Sequence, residues 1–160
     1  MAIHSFRRLS VAVIVAALAG SSSGCIDQQI KARDRATDLA ATAFLRSLMQ
    51  NIRVIEMELG RAPTIADIQA KGAIPAEARG SVITPDDVEP RNGYQGYVFV
   101  YLMSDDGRTP AYAIVGKPTV AGRALLYCSS GSSQIRQADS DAVEPPLQPY
   151  PDDRLPADWR

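Results

Sequence analysis

The stretch AATAFLRSLMQNIRVIEMELG, Ala40–Gly60, decides the fold, because it is an amphipathic segment on which the rest of the chain can pack. Its apolar residues recur at steps of four, four, four, three and four: Ala40, Phe44, Leu48, Ile52, Ile55 and Leu59. That spacing turns one face of a helix toward a core. Neither Pro nor Gly interrupts Asp27–Leu59, and Gly60 occupies the position of a left-handed C-terminal cap. We predict one long helix, whose polar first part, within residues 25–40, forms a solvated stalk.

The residues before this helix have the order of a secretory signal peptide. Arg7 and Arg8 precede the apolar run Leu9–Ala19, and small residues follow up to Gly24. The apolar run is roughly half of the about 20 residues that a membrane-spanning helix needs. We therefore predict that residues 1–24 are a signal peptide rather than a permanent span.

Two cleavage sites remain open for this signal peptide. The sequence SSGC, Ser22–Cys25, resembles the lipobox of bacterial lipoproteins, in which a Cys follows small residues. Ser22 departs from that pattern, because the family usually has Leu there. The first interpretation makes Cys25 a lipid attachment residue that anchors the protein on the periplasmic side of the cell envelope. The alternative is ordinary cleavage near ALAG, which leaves Cys25 a thiol and the protein secreted or soluble in the periplasm.

The composition excludes several function classes. The chain has 17 Lys and Arg against 18 Asp and Glu, and Arg7 and Arg8 lie in the predicted signal. The remaining chain is too acidic to follow a phosphate backbone, so we expect no nucleic-acid partner. The single His, His4, also lies in the signal, which excludes Ser-His-Asp and Cys-His catalysis and zinc sites that contain His. We predict no enzyme activity and no cofactor.

The middle of the chain reads as a short helix and then strands. PTIADIQAKGAIP, Pro63–Pro75, has Thr64 as an N-cap and Asp67 in the capping-box position. Four strand-like segments follow the loop after it, rich in aromatic and β-branched residues and joined by short turns. These are Gly96–Met103, Ala111–Gly116, Arg123–Cys128 and Gln134–Gln137. We predict an α+β fold in which the long helix covers one face of an antiparallel meander of about four strands.

The composition changes at Ala138. Residues 138–160 contain five Pro and few residues that form a core. We predict an extended or disordered tail, in which Trp159 is the residue able to dock. One domain, residues 25–137, then precedes the tail. Because extended Pro-rich segments suit docking into grooves, the tail and the exposed face of the meander are the expected contact surfaces.

The order of elements resembles the periplasmic domains of type IV pilins and of type II secretion pseudopilins. The resemblance rests on NIRVIEMELGRAPTIADIQAKGAIP, GYQGYVFVY and AYAIVGKPTVAGRALLYCSSGSSQIR, within about Thr42–Arg136. It implies a long helix packed along an antiparallel meander. Prepilins are cut after a Gly that precedes the apolar helix, and that helix carries a Glu. This chain has neither feature, so bundling of such helices into a fibre is not expected.

Four further groups of residues carry side chains that can react or bind a ligand. Asp139, Asp141 and Glu144 could offer oxygen ligands to calcium, as in a late loop of some pseudopilins, but solvated charge explains them better. A serine of the turn Ser129–Ser133 would need Lys117 as its base. Cys128 reads as a small buried hydrophobe if Cys25 is lipidated, and a Cys25–Cys128 disulfide is the alternative. The four tyrosines Tyr94, Tyr97, Tyr101 and Tyr112 read as packing on the strands rather than as a stacking platform.

Together these features predict a lipid-anchored, pilin-like envelope protein that acts as a structural or interaction component of a secretion or envelope assembly. Its partners would be the membrane, through the anchor, and another envelope or secretion-system protein. The alternative is a periplasmic module that binds a small ligand on the same scaffold. A filled core with a flat surface favours the first function, and an apolar pocket with a few polar groups favours the second.

Overall fold

The computed structural model describes residues 6–87, 93–104 and 110–160, with side chains from Gln28 onward except that of Asp152. The predicted signal peptide, residues 1–24, and Cys25 therefore fall outside the part of the chain whose side chains are described. Two compact units divide the chain, Met1–Ala36 and Thr37–Arg160. The first unit carries the beginning of the helix α1, Phe6–Leu59, and the second carries its end together with every other described element.

The second unit is an α+β domain, as predicted from the sequence. After α1 come the short helix α2, Ile65–Ala70, and a five-stranded sheet in the order β1-β2-β3-β4-β5. The strands are β1, Val82–Ile83; β2, Tyr97–Met103; β3, Tyr112–Pro118; β4, Ala124–Ser129; and β5, Arg136–Asp139. Two 3₁₀ turns, Ala76–Ser81 and Asp152–Arg154, complete the described elements.

The sheet differs from the prediction at one edge. β2 to β5 form the expected antiparallel meander, but β1 pairs parallel to β2, with Val82 opposite Phe99. The sheet is therefore mixed and has five strands. Sequence reasoning missed β1 because a two-residue strand carries no alternation of its own; its pairing with β2 alone defines it.

The helix packs on one face of the sheet, as the Ala40–Gly60 pattern predicts. Leu45, Leu48 and Ile52 are at most 1% exposed and share a core with Phe99 and Ile114. Leu59, in contrast, is 36% exposed and lies at the margin of that face. Gly60 adopts a φ of +67° after the last helical residue, which is the expected left-handed cap.

The capping box that the sequence predicted for α2 is confirmed. Thr64 Oγ1 accepts from the backbone N–H of Asp67 at 3.2 Å, and the Asp67 carboxylate accepts from the backbone N–H of Thr64 at 2.8 Å. The reciprocal bonds satisfy two donors that the helix itself cannot. Tyr101 connects this corner to the sheet, because its hydroxyl donates to the carbonyl of Pro63 at 2.7 Å.

The chain from Ser140 to Arg160 is not a disordered tail. It packs on the second face of the sheet, where the buried residues Leu125, Tyr127 and Ala138 meet Trp159, which is 6% exposed. Further contacts come from Val143, Tyr150 and Leu155. The Pro-rich composition had favoured an extended or disordered tail, but the apolar residues spaced along this segment pack on the second face of the sheet.

The end of this segment also closes one edge of the sheet. Gln137 of β5 and Arg160 exchange two backbone hydrogen bonds, each of 2.8 Å. The pairing occupies edge groups of β5 that would otherwise be open to another strand. Residues 138–160 thus belong to the folded domain, and most of the meander face that was expected to be exposed is covered from within.

Candidate functional site

A groove lies on the second face of the sheet beside β2, whose residues on that face are themselves buried. Its floor is formed by Val98, Val100 and Leu102, the alternate residues of β2 that point away from α1. One wall is Ile83, Thr84, Pro85 and Asp87; the other is Pro146 and Leu147; and Lys117, Pro118 and Thr119 line the end. The groove encloses about 480 Å³, within the range of small-molecule sites.

The polar groups along the β1 wall are engaged with each other. The Asp87 carboxylate accepts from the backbone N–H of Thr84 at 2.6 Å and from its hydroxyl at 2.9 Å. These bonds, the backbone one first, lower the pKa of Asp87 below its usual value. At the other end, the hydroxyl of Thr119 donates to the carbonyl of Gly96 at 3.0 Å. The groove therefore presents these side chains with their hydrogen bonds already made.

Lys117 is the cationic residue among the described residues that line the groove. It lies opposite Val98 in the β2–β3 register and is half-buried. Within the described part of the chain it has neither a hydrogen bond nor an ion pair. Ile83 pairs with Val100, and Thr84 follows Ile83. The Asp87 turn therefore lies nearer the C-terminal end of β2 than Lys117, which is opposite Val98. The groove consequently has a cationic end and an apolar floor.

A second cavity, of about 630 Å³, lies at the β5 edge. Its charged lining residues are Arg123, Asp139, Asp158 and Arg160. Arg123 approaches Asp38 of α1 at 3.9 Å, and its side chain is only 13% exposed. The described lining thus includes two cations and two carboxylates, so no single ligand charge is favoured there.

The outer face of α1 carries exposed apolar residues on the side opposite the core. Met57 is 75% exposed and Val54 is 50% exposed, one turn apart. Leu39, 71% exposed, is eighteen residues before Met57, which is five turns at about 3.6 residues per turn. All three therefore lie on one face, with Arg46 and Gln50, both exposed, between them.

The tyrosines pack in the core, as the sequence predicted. Tyr97, Tyr101 and Tyr112 are at most 1% exposed under α1, and the ring of Tyr94 lies 4.8 Å from that of Phe44. The Tyr112 hydroxyl donates to the Glu56 carboxylate at 2.8 Å. Burial is the main cause that raises the pKa of Tyr97, Tyr101 and Tyr112 above the usual range, so these phenols stay neutral. The next cause is Asp38 for Tyr97, the Tyr112 phenol for Tyr101 and Glu56 for Tyr112.

The structure does not bring the other candidate residues together into a reactive group. Ser129 pairs with Ala113, whereas Lys117 is four residues further along β3, a distance of about 13 Å along the strand. Arg53 of α1 instead reaches the turn that follows β4, where it donates to the carbonyl of Ser132. Cys128 is buried in the core under α1, at 3% exposure.

The acidic candidates form a turn. The Asp139 carboxylate accepts from the backbone N–H of Asp141 at 3.1 Å, and Glu144 is exposed. In the part of the chain that the structure describes, no group of three His, Cys, Asp or Glu side chains is placed to hold a metal ion. The described helices also include none that is long and apolar enough to span a membrane.

The architecture defines an α+β protein with a helix on one face of a mixed sheet and an extended segment on the other. Comparison with known proteins adds no relative: no family model, no curated protein and no solved structure matches the chain.

Proposed function

We propose that the chain is a non-enzymatic envelope lipoprotein with a pilin-like domain, which acts as an interaction component of a secretion or envelope assembly. The observation that carries the proposal is the outer face of α1, where Val54 and Met57 are exposed directly opposite the buried face. A contiguous exposed apolar patch rimmed by polar residues marks a surface that another protein covers, and Val54 and Met57 are neighbours on this face.

The lipoprotein part of the proposal is supported by the sequence. Arg7 and Arg8, the apolar run Leu9–Ala19, the small residues and Cys25 follow in the order of a lipoprotein signal. The side chains from Gln28 to Arg33 are all exposed, and burial begins at Ala41. A solvated helical segment of this kind suits a spacer between an anchored Cys25 and a folded domain.

The pilin-like part is supported by the order of elements. A long helix is followed by an antiparallel meander, β2 to β5, which is the order that the resemblance implies. The non-enzymatic part is supported by chemistry: the sole His of the chain is His4, and the buried phenols are held neutral. Lys117 and the Ser129–Ser133 turn lie at opposite ends of β3.

The partner that fits the α1 surface is an envelope protein with an apolar helix face. Val54 and Met57 are one turn apart, so they form a ridge that a neighbouring helix can accept in a groove between its own side chains. Arg46 and Gln50 extend the surface with polar contacts, as at the rim of a protein interface.

Two experiments test this function. Labelling of cells with a radioactive fatty acid tests the anchor: label on the wild-type protein and none on Cys25→Ser is expected, and equal labelling of both would contradict it.

Detergent-extracted native assemblies test the interface. The double variant Val54→Glu, Met57→Glu should leave the assembly. Gln69→Glu, which adds a charge at an exposed position of α2, should remain in it. Retention of the double variant would refute the α1 surface as the interface.

One observation favours the alternative function, a small-ligand-binding module. Among the described residues, the lining of the groove over β2 is mostly apolar and includes a few polar groups, Lys117 and Asp87 among them, which is the combination expected of such a site. The two functions use different faces of the domain, because the groove and the exposed side of α1 lie on opposite sides of the sheet.

A further inference from the structure

We propose that the helix which covers the outer face of α1 carries a carboxylate, from Asp or Glu, between apolar side chains, and that this carboxylate pairs with Arg46. The inference rests on the proposed function, because it concerns the partner of the same α1 surface. It adds the charge that the partner must bring, which the apolar residues of the surface do not specify.

Arg46 lies between the two apolar ends of the outer face. Leu39 precedes Arg46 by seven residues and Met57 follows it by eleven, which is about two and about three turns of helix. The three side chains therefore project on the same side of α1, and both ends are exposed, Leu39 by 71% and Met57 by 75%. At the usual rise per residue, Leu39 and Met57 are about 27 Å apart along the axis. A neighbouring helix that reaches both ends consequently passes over Arg46.

Arg46 is also the charged residue of this stretch that is left for a partner. From Asp38 to Leu59, α1 carries five charged residues. Four of them are engaged within the chain: Asp38 with the Tyr97 hydroxyl, Arg53 with the carbonyl of Ser132, Glu56 with the Tyr112 hydroxyl and Glu58 with Lys71. Arg46 is exposed and has neither a hydrogen bond nor an ion pair with another described residue.

A helix that covers Arg46 must supply an opposite charge. Taking a guanidinium out of water without a counter-charge costs free energy, and a purely apolar partner face would leave that cost uncompensated. A carboxylate can accept two parallel hydrogen bonds from the guanidinium, which fixes the register of the two helices. Apolar residues two to three turns away on either side of that carboxylate would then meet Leu39 and Met57.

A second copy of the chain does not meet this requirement. It would bring another Arg46 to the interface, and juxtaposed like charges disfavour association. The carboxylates of Asp38 and Glu56 accept hydrogen bonds from buried tyrosines, so they are not available to a partner's Arg46. The charge of the face therefore favours a different protein over self-association.

The binding test uses the full chain and three synthetic helical peptides of equal length. Each peptide has leucines at the positions that face Leu39 and Met57, and the three differ only at the central residue, which is Glu, Gln or Lys. Fluorescence anisotropy of the labelled peptides should show the Glu peptide binding about tenfold more tightly than the Lys peptide, since a hydrogen bond between charged groups is worth about that factor. The difference should shrink as NaCl is added, because salt screens charges near the surface.

Matched variants locate the charge that the peptides sense. Arg46→Glu should reverse the order, so that the Lys peptide binds most tightly. Arg79→Glu makes the same change of net charge on the 3₁₀ turn Ala76–Ser81 and should leave the order unchanged. Equal behaviour of the three peptides, including no binding of any, or an order that Arg46→Glu does not alter, would overturn the proposal.

Native assemblies separate this inference from the proposed function. Arg46→Glu should leave the detergent-extracted assembly, whereas Arg46→Lys, which keeps the charge, should be retained better than Arg46→Met. If Arg46→Glu stays while the double variant Val54→Glu, Met57→Glu leaves, the α1 surface stands and the partner carboxylate is refuted. If all of these variants stay, the α1 surface itself is refuted.

Discussion

The hydroxyl of Tyr127 forms hydrogen bonds with both backbone polar groups of Tyr150. It donates to the carbonyl of Tyr150 and accepts from the N–H of the same residue, at 2.7 Å in each case. Tyr127 is on β4, so the bonds attach the Pro-rich segment to an inner strand of the sheet. The ring of Trp159 packs on the Tyr127 ring from the edge, at 5.8 Å between centroids.

Tyr127→Phe is expected to lower the free energy of unfolding by about 1–3 kcal/mol, because two part-buried backbone groups lose their partner. Urea denaturation measures the change. Tyr150→Phe is the matched control: it removes a hydroxyl whose bond is with exposed Gln148, so the midpoint should hardly move. A control as damaging as Tyr127→Phe would contradict the role of the Tyr127 hydroxyl.

Leu48→Ala should lower the free energy of unfolding by about 2–5 kcal/mol, since it opens a cavity between α1 and the sheet. Met57→Ala, on the exposed side of the same helix, should stay within about 0.5 kcal/mol. Equilibrium denaturation of both variants is the measurement. An unchanged midpoint for Leu48→Ala would mean that α1 does not pack on the sheet.

Gly96→Ala should be more destabilising than Gly122→Ala. Both glycines have positive φ, +71° and +80°, so each substitution introduces backbone strain of about 1–2 kcal/mol. At Gly96 the new Cβ would also lie 2.5 Å from Nη1 of Arg123 and 3.2 Å from Cγ2 of Thr37, whereas at Gly122 it meets nothing within 4 Å. Thermal unfolding of the pair isolates this clash, and equal melting temperatures would argue against it.

The contribution of the Asp67 capping box to stability should decrease at acidic pH. The bond from the backbone N–H of Thr64, and then Arg61, lower the pKa of Asp67 to about 2, against about 3.9 in an unfolded chain. A lowered folded pKa stabilises the protein above the unfolded value, and the contribution is lost as the pH falls through about 2. An NMR titration of the carboxyl should show this midpoint in the wild type. The stability difference between wild type and Asp67→Asn should narrow from pH 5 to 2; a constant difference would refute the linkage.

The local elements could be predicted because their determinants lie close together in sequence. The steps of three and four between Phe44 and Leu59 define a helix face, and Thr64 with Asp67 defines a helix start. The predicted segments for β2, β3 and β4 match the observed strands to within about two residues, since β-branched and aromatic runs between turns carry their own signal. The segment of β5 was placed two residues early, at Gln134 rather than Arg136.

The sequence of β2 contains a signal that a second segment of the chain packs on the sheet, as the Pro-rich segment does. YVFVYLM, Tyr97–Met103, is apolar at every position rather than at alternate ones. Such a run indicates a strand that is buried on both faces. The long helix covers only one face, so the second cover had to come from elsewhere in the chain. Composition alone pointed to an extended or disordered tail, because composition does not include the surface on which the apolar residues of the segment can pack.

The sequence by itself determined the α+β class, the helix face, the capping box and most of the meander, because these depend on interactions between near neighbours. Only the tertiary structure decided that residues 140–160 cover the second face and that β1 pairs with β2 in parallel. The same packing placed Lys117 at the end of an apolar groove. These features depend on groups far apart in the chain, such as Gln137 with Arg160 and Tyr127 with Tyr150. These contacts stabilise the protein only after the sheet has formed, because the surface on which they are made does not exist before then. No local pattern of residues encodes that surface.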